Sequence, residues 1–128
     1  MKPSLRTPLG HVRGLGSAKD GTHHWWMQRV TAVALVPLTL WFVVGLIGHV
    51  GAEQSAVQAW LGNPVNAALM ILFVATAYFH GYLGTQVVIE DYVHNELLKV
   101  DSILAVKFAA ACLGIVSIIA VLKLATGA

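Results

Sequence analysis

His80 stands in a long uncharged stretch: between Arg29 and Glu90 the only formally charged residue is Glu53. An imidazole can ligate a metal centre or exchange a proton near neutral pH. One helical turn away, on the same face of a helix, lie Thr76, Ala77 and Gly84. Small side chains above and below a histidine leave space for a flat macrocycle, and neutral imidazole is a common axial ligand of haem iron. The same spacing also suits a histidine hydrogen-bonded to another helix, with the small residues serving only close packing. One histidine cannot make a bis-histidine site, so a haem here takes its second ligand from another chain.

A second group follows on the same segment. Asp91 comes 11 positions after His80, which at 100° per residue returns it to within about 20° of the same helix face. Tyr92 is beside it. A phenol can donate a hydrogen bond to a carbonyl, and a carboxylate can relay or balance protons. The alternative is an interfacial tyrosine next to an ordinary helix-end acid. A third group, His23, His24 and Arg29, precedes the first apolar segment. Arg29 can pair with Asp91 or anchor its helix to lipid phosphates. The adjacent histidines point about 100° apart on a helix and do not make an isolated metal site. His49 reads as a surface or headgroup residue, and His11 and His94 carry no signal. Cys112, in an apolar run, reads as a small hydrophobic filler and not a reactive thiol.

The elements that must position these residues are membrane spans. Hydrophobic residues make up 57% of the 128 and charged residues 11%, against about 25% charged in a soluble domain. A helix crosses a hydrocarbon core of about 30 Å with roughly 20 apolar residues. Three segments qualify, at about 30–50, 65–89 and 102–124. The first contains Pro37, which membrane helices tolerate when neighbouring groups satisfy the freed carbonyl. Trp25 and Trp26 precede it, where aromatic rings favour the headgroup zone. The fold expected is all-α: three transmembrane helices forming half of a heterodimeric helical bundle. Residues 1–21 form an N-terminal arm, and residues 22–128 a three-helix membrane anchor domain. At 1.5 Å per residue, His80 lies about 18 Å from the Tyr92 end of its helix, near the bilayer midplane. Ionisable groups there are costly and face a partner, a cavity or a cofactor. On the third span, Ala105, Ala109, Ala110, Ala111 and Gly114 offer a face for close packing.

Basic residues set the orientation. Lys2, Arg6, Arg13, Lys19 and Arg29 precede the first span, and the 51–63 loop has none. The positive-inside rule puts the N-terminus in the cytoplasm, the 90–101 loop inside, and the C-terminus in the periplasm. Residues 1–21 lack the apolar run of a secretory signal, so the N-terminus is expected to be kept. A net charge of +2, with no basic tract interleaved with aromatics, argues for no nucleic acid partner.

Taken together, these residues resemble a known pattern. The stretch from His80 through Gly84 to Asp91-Tyr92 looks like the second-helix motif of the small hydrophobic membrane-anchor subunit of succinate dehydrogenase (respiratory complex II). The entry to helix one, His23 through Gln28-Arg29-Val30-Thr31, resembles the same family's histidine, arginine and threonine start. The tail before it is similar to alphaproteobacterial members. The resemblance implies that His80 is one axial ligand of a b-type haem shared with a larger cytochrome b-type anchor subunit. It implies that Tyr92 hydrogen-bonds a ubiquinone carbonyl, with Asp91 and Arg29 close to that pocket. His23 would lie near the same pocket or the haem propionates. The implied partners are the larger anchor, an iron–sulfur subunit, a flavoprotein subunit and lipid, in the bacterial inner membrane.

The chain has no flavin or iron–sulfur motif of its own, and one cysteine cannot hold a cluster. It would dock the dehydrogenase subunits and not oxidise succinate itself. Two other readings remain open: a haem-free structural anchor in which His80 only packs, and a small proton-coupled carrier using His80 and Asp91. Three uninterrupted spans without a repeat weigh against the carrier.

Overall fold

The computed structural model describes residues 7–12 and 19–127. It contains α1 (Pro8–Val12), α2 (Lys19–Gly48), α3 (Gln54–Leu61), α4 (Pro64–Tyr92) and α5 (Glu96–Thr126). Helices α2, α4 and α5 are each long and apolar enough to cross a membrane. Lys2, Arg6 and Arg13, which carry much of the orientation signal, lie outside the described residues.

The helices outrun the apolar segments at both ends. Helix α2 starts well before Val30, so His23, His24, Trp25 and Trp26 are helical, and it continues through Pro37. The polar stretch expected as a loop at 90–101 shrinks to residues 93–95. Hydropathy marks where a chain prefers lipid, whereas backbone hydrogen bonding continues until a cap stops it. The caps are local and legible. Asn63 accepts from Val65 N at 2.9 Å, with Pro64 in the first turn of α4. Asn95 accepts from Leu98 N at 3.1 Å to open α5, and Gly127 closes it with φ 70°. Asparagine is among the best N-caps, and left-handed glycine is a common helix stop.

Helix α4 is central. It packs against both α2 and α5, while α2 and α5 make no close backbone contact with each other. The three spans therefore form an open row and not a closed bundle. Phe42 stacks on Phe73 at 4.7 Å to join α2 to α4. Gly114 of α5 is buried under the Tyr78 ring of α4, and the Tyr78 hydroxyl lies 3.3 Å from Ser117 Oγ. Of the other small residues on α5, Ala110 is half-buried and Ala105, Ala109 and Ala111 are exposed. Cys112 is exposed as well. Among the described residues only Leu38, Leu61, Met70, Leu83 and Val121 are buried hydrophobics, so nearly all their apolar surface is left for lipid or another protein.

The 51–63 connection holds a helix that the sequence reading treated as loop. Helix α3 covers one end of the row, and Leu61 (3% exposed) packs there with Met70 and Val121. Trp60 stacks on Trp41 at 5.4 Å and meets the His49 ring at 4.8 Å. Its indole rests on Gly45, where an added Cβ would lie 2.7 Å from Trp60 Cζ2. Gly45→Ala must therefore displace the indole. The expected loss is about 1–3 kcal/mol, the usual cost of overpacking. Thermal unfolding followed by circular dichroism in detergent checks it, with Gly48→Ala as the neutral control because nothing lies within 4 Å of that site.

Candidate functional site

Thr31 is the buried polar residue of the described chain, at 7% exposure. Its hydroxyl lies 2.8 Å from Met27 O, 3.1 Å from Gln28 O and 2.9 Å from His80 Nδ1. A threonine hydroxyl has one proton and two lone pairs. Donating to Met27 O, its shortest contact, it accepts from His80 Nδ1–H. Nε2 is then the basic nitrogen of the ring, and it has no hydrogen-bond partner among the described residues. His80 borders an open groove of about 410 Å³ whose other walls are Ala32, Leu35, Val36, Thr39 and Leu40 of α2.

The groove differs from the space expected around His80. Gly84 faces α2, with an added Cβ 3.9 Å from Gln28 Nε2, so it serves the approach of the two helices. Thr76 and Ala77 are half-buried and do not line the groove. The room beside the imidazole comes from Ala32 and Thr39 on the facing helix. Sequence spacing along one helix cannot show that. Thr31 is likewise the residue whose role sequence reasoning missed: it stood in the helix-one motif, but nothing in the sequence paired it with His80.

The Thr31–His80 contact also fixes the register of the antiparallel pair α2 and α4. Measured from that level at 1.5 Å per residue, Arg29 lies about 3 Å toward the common end, His23 about 12 Å, and Asp91 and Tyr92 about 16–18 Å. Arg29 and Asp91 are thus about 13 Å apart along the axis, and no ion pair joins them among the described residues. Arg29 instead lies over the Trp25 ring, 5.4 Å from its centroid. Tyr92 (77% exposed) and Asp91 project at the open end of α4. His23 and His24 border a separate cavity with Tyr82, Gln86 and Lys107. His49 does not face the His80 groove; its Nδ1 lies 2.8 Å from Gly45 O. The structure thus joins Thr31 to His80; it brings Asp91, Tyr92 and His23 toward one end of the row and leaves Arg29 deeper, and among the described residues no ion pair joins any of the four.

A multi-pass α-helical membrane protein with one partnered histidine deep in its spans is the class that this geometry defines. The comparisons narrow it. The model of the succinate dehydrogenase/fumarate reductase transmembrane subunit family matches residues 3–122, and the chain belongs to that family. It is 36% identical over 107 residues to the succinate dehydrogenase hydrophobic membrane anchor subunit of Rickettsia bellii (strain RML369-C), covering 84% of this chain and 86% of that one. To the subunit of the same description from Paracoccus denitrificans it is 37% identical over 102 residues, covering 80% and 79%. The succinate dehydrogenase membrane anchor subunit of Reclinomonas americana is 30% identical over 95 residues, with 72% and 79% covered. No solved structure matches the chain.

Removing the Thr31 hydroxyl leaves the imidazole N–H unpaired between helices. Thr31→Val is expected to lower stability in detergent by about 0.6–2 kcal/mol, the range of single interhelical hydrogen bonds in membranes. Thr31→Ser, which keeps the hydroxyl, retains most of it. Thermal unfolding of the two variants side by side is the measurement.

Proposed function

We propose that this chain is the smaller membrane anchor of a succinate:ubiquinone oxidoreductase, set in the bacterial inner membrane with its N-terminus cytoplasmic and its C-terminus periplasmic. In this reading residues 22–128 form the anchor domain and residues 1–21 an arm at the cytoplasmic surface. The anchor docks the iron–sulfur and flavoprotein subunits and pairs with a larger cytochrome b-type subunit.

The observation that carries the reading is the Thr31 hydroxyl on His80 Nδ1 at 2.9 Å. A histidine ligand needs one nitrogen unprotonated and a partner on the other to fix its tautomer and ring orientation. The half-buried His80 beside an open groove meets both needs. This chain offers one histidine to that groove, so a bis-histidine haem b would take its other ligand from the larger anchor. Such a haem supplies one-electron redox chemistry within the membrane. The open row of spans, with its apolar surface mostly uncovered, suits a subunit completed by a second set of helices.

Quinone reduction needs an apolar pocket for the ring and proton donors for the oxygens. Tyr92 and Asp91 supply donors at the cytoplasmic end of α4, with the Tyr92 phenol donating to a ubiquinone carbonyl. His23 is nearest to them in level, and Arg29 lies deeper on α2. All four border the quinone site in this proposal, Asp91 and His23 delivering or balancing protons and Arg29 contributing positive charge.

Two variants of the purified complex test the reading. His80→Ala is expected to abolish the b-type band in the reduced-minus-oxidised visible spectrum, and a band that survives removes the ligand assignment. Tyr92→Phe is expected to slow quinone reduction by about 10²-fold, the scale of one lost acid–base group. Succinate oxidation coupled to a water-soluble dye continues in that variant, because the flavoprotein is untouched.

A further inference from the structure

The two sides of α4 differ in chemistry. One side bears His80 and a groove without a charged lining residue. On the other side two cavities meet, sharing Phe79, Tyr82 and Lys107 as walls. The first, about 260 Å³, is bordered by His23, His24 and Gln86. The second, about 300 Å³, runs between α4 and α5 over Ala110, Ala111 and Gly114 to Ile118. Together they make one groove with a polar mouth and an apolar floor.

Lys107 stands at the junction. It is exposed, and no carboxylate pairs with it among the described residues, where Lys99–Glu96 is the one salt bridge. A lysine within a span is costly unless an anion meets it or its stem carries the charge toward the headgroups. Beside it, His24 Nε2 is closed off from solvent and has no hydrogen-bond partner among the described residues. We propose that this groove holds one anionic phospholipid from the leaflet at the α2 N-terminal end. Its phosphate sits against Lys107 and Tyr82, where the two cavities join, and an acyl chain lies along Ala110, Ala111 and Gly114.

Length and charge both fit. Lys107 to Ile118 is 11 residues, about 16 Å of helix. That is long enough for much of an acyl chain, which would run past the level of His80, since Gly114 lies under Tyr78. The exposed Ala111 and the buried Gly114 give a chain a low floor to lie on, where close contact adds dispersion energy along its length. Basic pockets between membrane helices are known to select acidic headgroups. The site is independent of the haem assignment, being on the other side of α4.

The test uses the intact complex, stripped of lipid by detergent exchange and incubated with phosphatidylglycerol or phosphatidylcholine. Phospholipid retained after washing is read as phosphate. Wild type is expected to retain phosphatidylglycerol over phosphatidylcholine. Lys107→Gln reduces phosphatidylglycerol retention about fivefold, the worth of one lysine at an anionic surface, and Lys107→Arg preserves it. Ala111→Phe, filling the floor at an exposed position, reduces retention of both lipids. Equal retention of the two lipids by the wild type overturns the proposal, whether the groove is then filled by a quinone or by a partner helix. So does unchanged retention in Lys107→Gln or Ala111→Phe. His80→Ala leaves retention unchanged, so loss of the haem reading and loss of this one are distinguishable.

Discussion

Hydrocarbon offers no hydrogen bonds, so a polar group inside it must find its partner within the protein. Between α2 and α4 that demand is met at one point, the contact of Thr31 with His80, which is the side-chain hydrogen bond linking the two helices among the described residues. It holds an imidazole at mid-depth in one orientation and commits one of its nitrogens. It also sets the register of the antiparallel pair, and through the register the depth of every other polar residue. Arg29 is fixed too deep to reach Asp91, and His23 comes closer in level to Tyr92 than Arg29 does. Without this bond α2 and α4 would meet mainly through apolar contacts such as Phe42 on Phe73, and apolar side chains are as well solvated by lipid tails as by each other.

The open row of helices follows from the same economy. With lipid as solvent there is no driving force to bury leucine and valine, and the chain buries few of them. What it does bury is specific in shape: Tyr78 over Gly114, and Trp60 over Gly45. Helix α3 closes one end, where Leu61, Met70 and Val121 make a small core. The opposite end is left to polar and charged side chains. A membrane subunit built this way has two usable faces on its central helix, and here they carry different chemistry. One presents His80 over a groove without a charged lining residue; the other presents Tyr82 to a groove that Lys107 of α5 and His23 and His24 of α2 also border, over a floor of small residues.

Membership of the succinate dehydrogenase/fumarate reductase transmembrane subunit family agrees with an architecture that is unfinished alone. His80 has one ring nitrogen held by Thr31 and the other without a hydrogen-bond partner among the described residues. His23, Asp91 and Tyr92 lie toward one end of the row, with no ion pair among them in the described residues.

The amino-acid sequence by itself determined the solvent and the number of membrane spans. Long uncharged stretches and their lengths require three spans, and Asn63, Asn95 and Gly127 mark helix boundaries through local capping. The phase of His80, Gly84 and Asp91 on one helix was equally legible, because a single helix has a known period. What one helix meets on another has no such period. That Thr31 would partner His80, that Ala32 and Thr39 would open the space beside it, and that Gly84 would instead adjoin Gln28 were decided by packing. So was the fate of the 51–63 connection, whose Trp60 finds its place because Gly45 leaves room on the preceding span. Periodicity and capping are properties of a segment and can be read from it; register and depth belong to pairs of segments and exist only once they have packed.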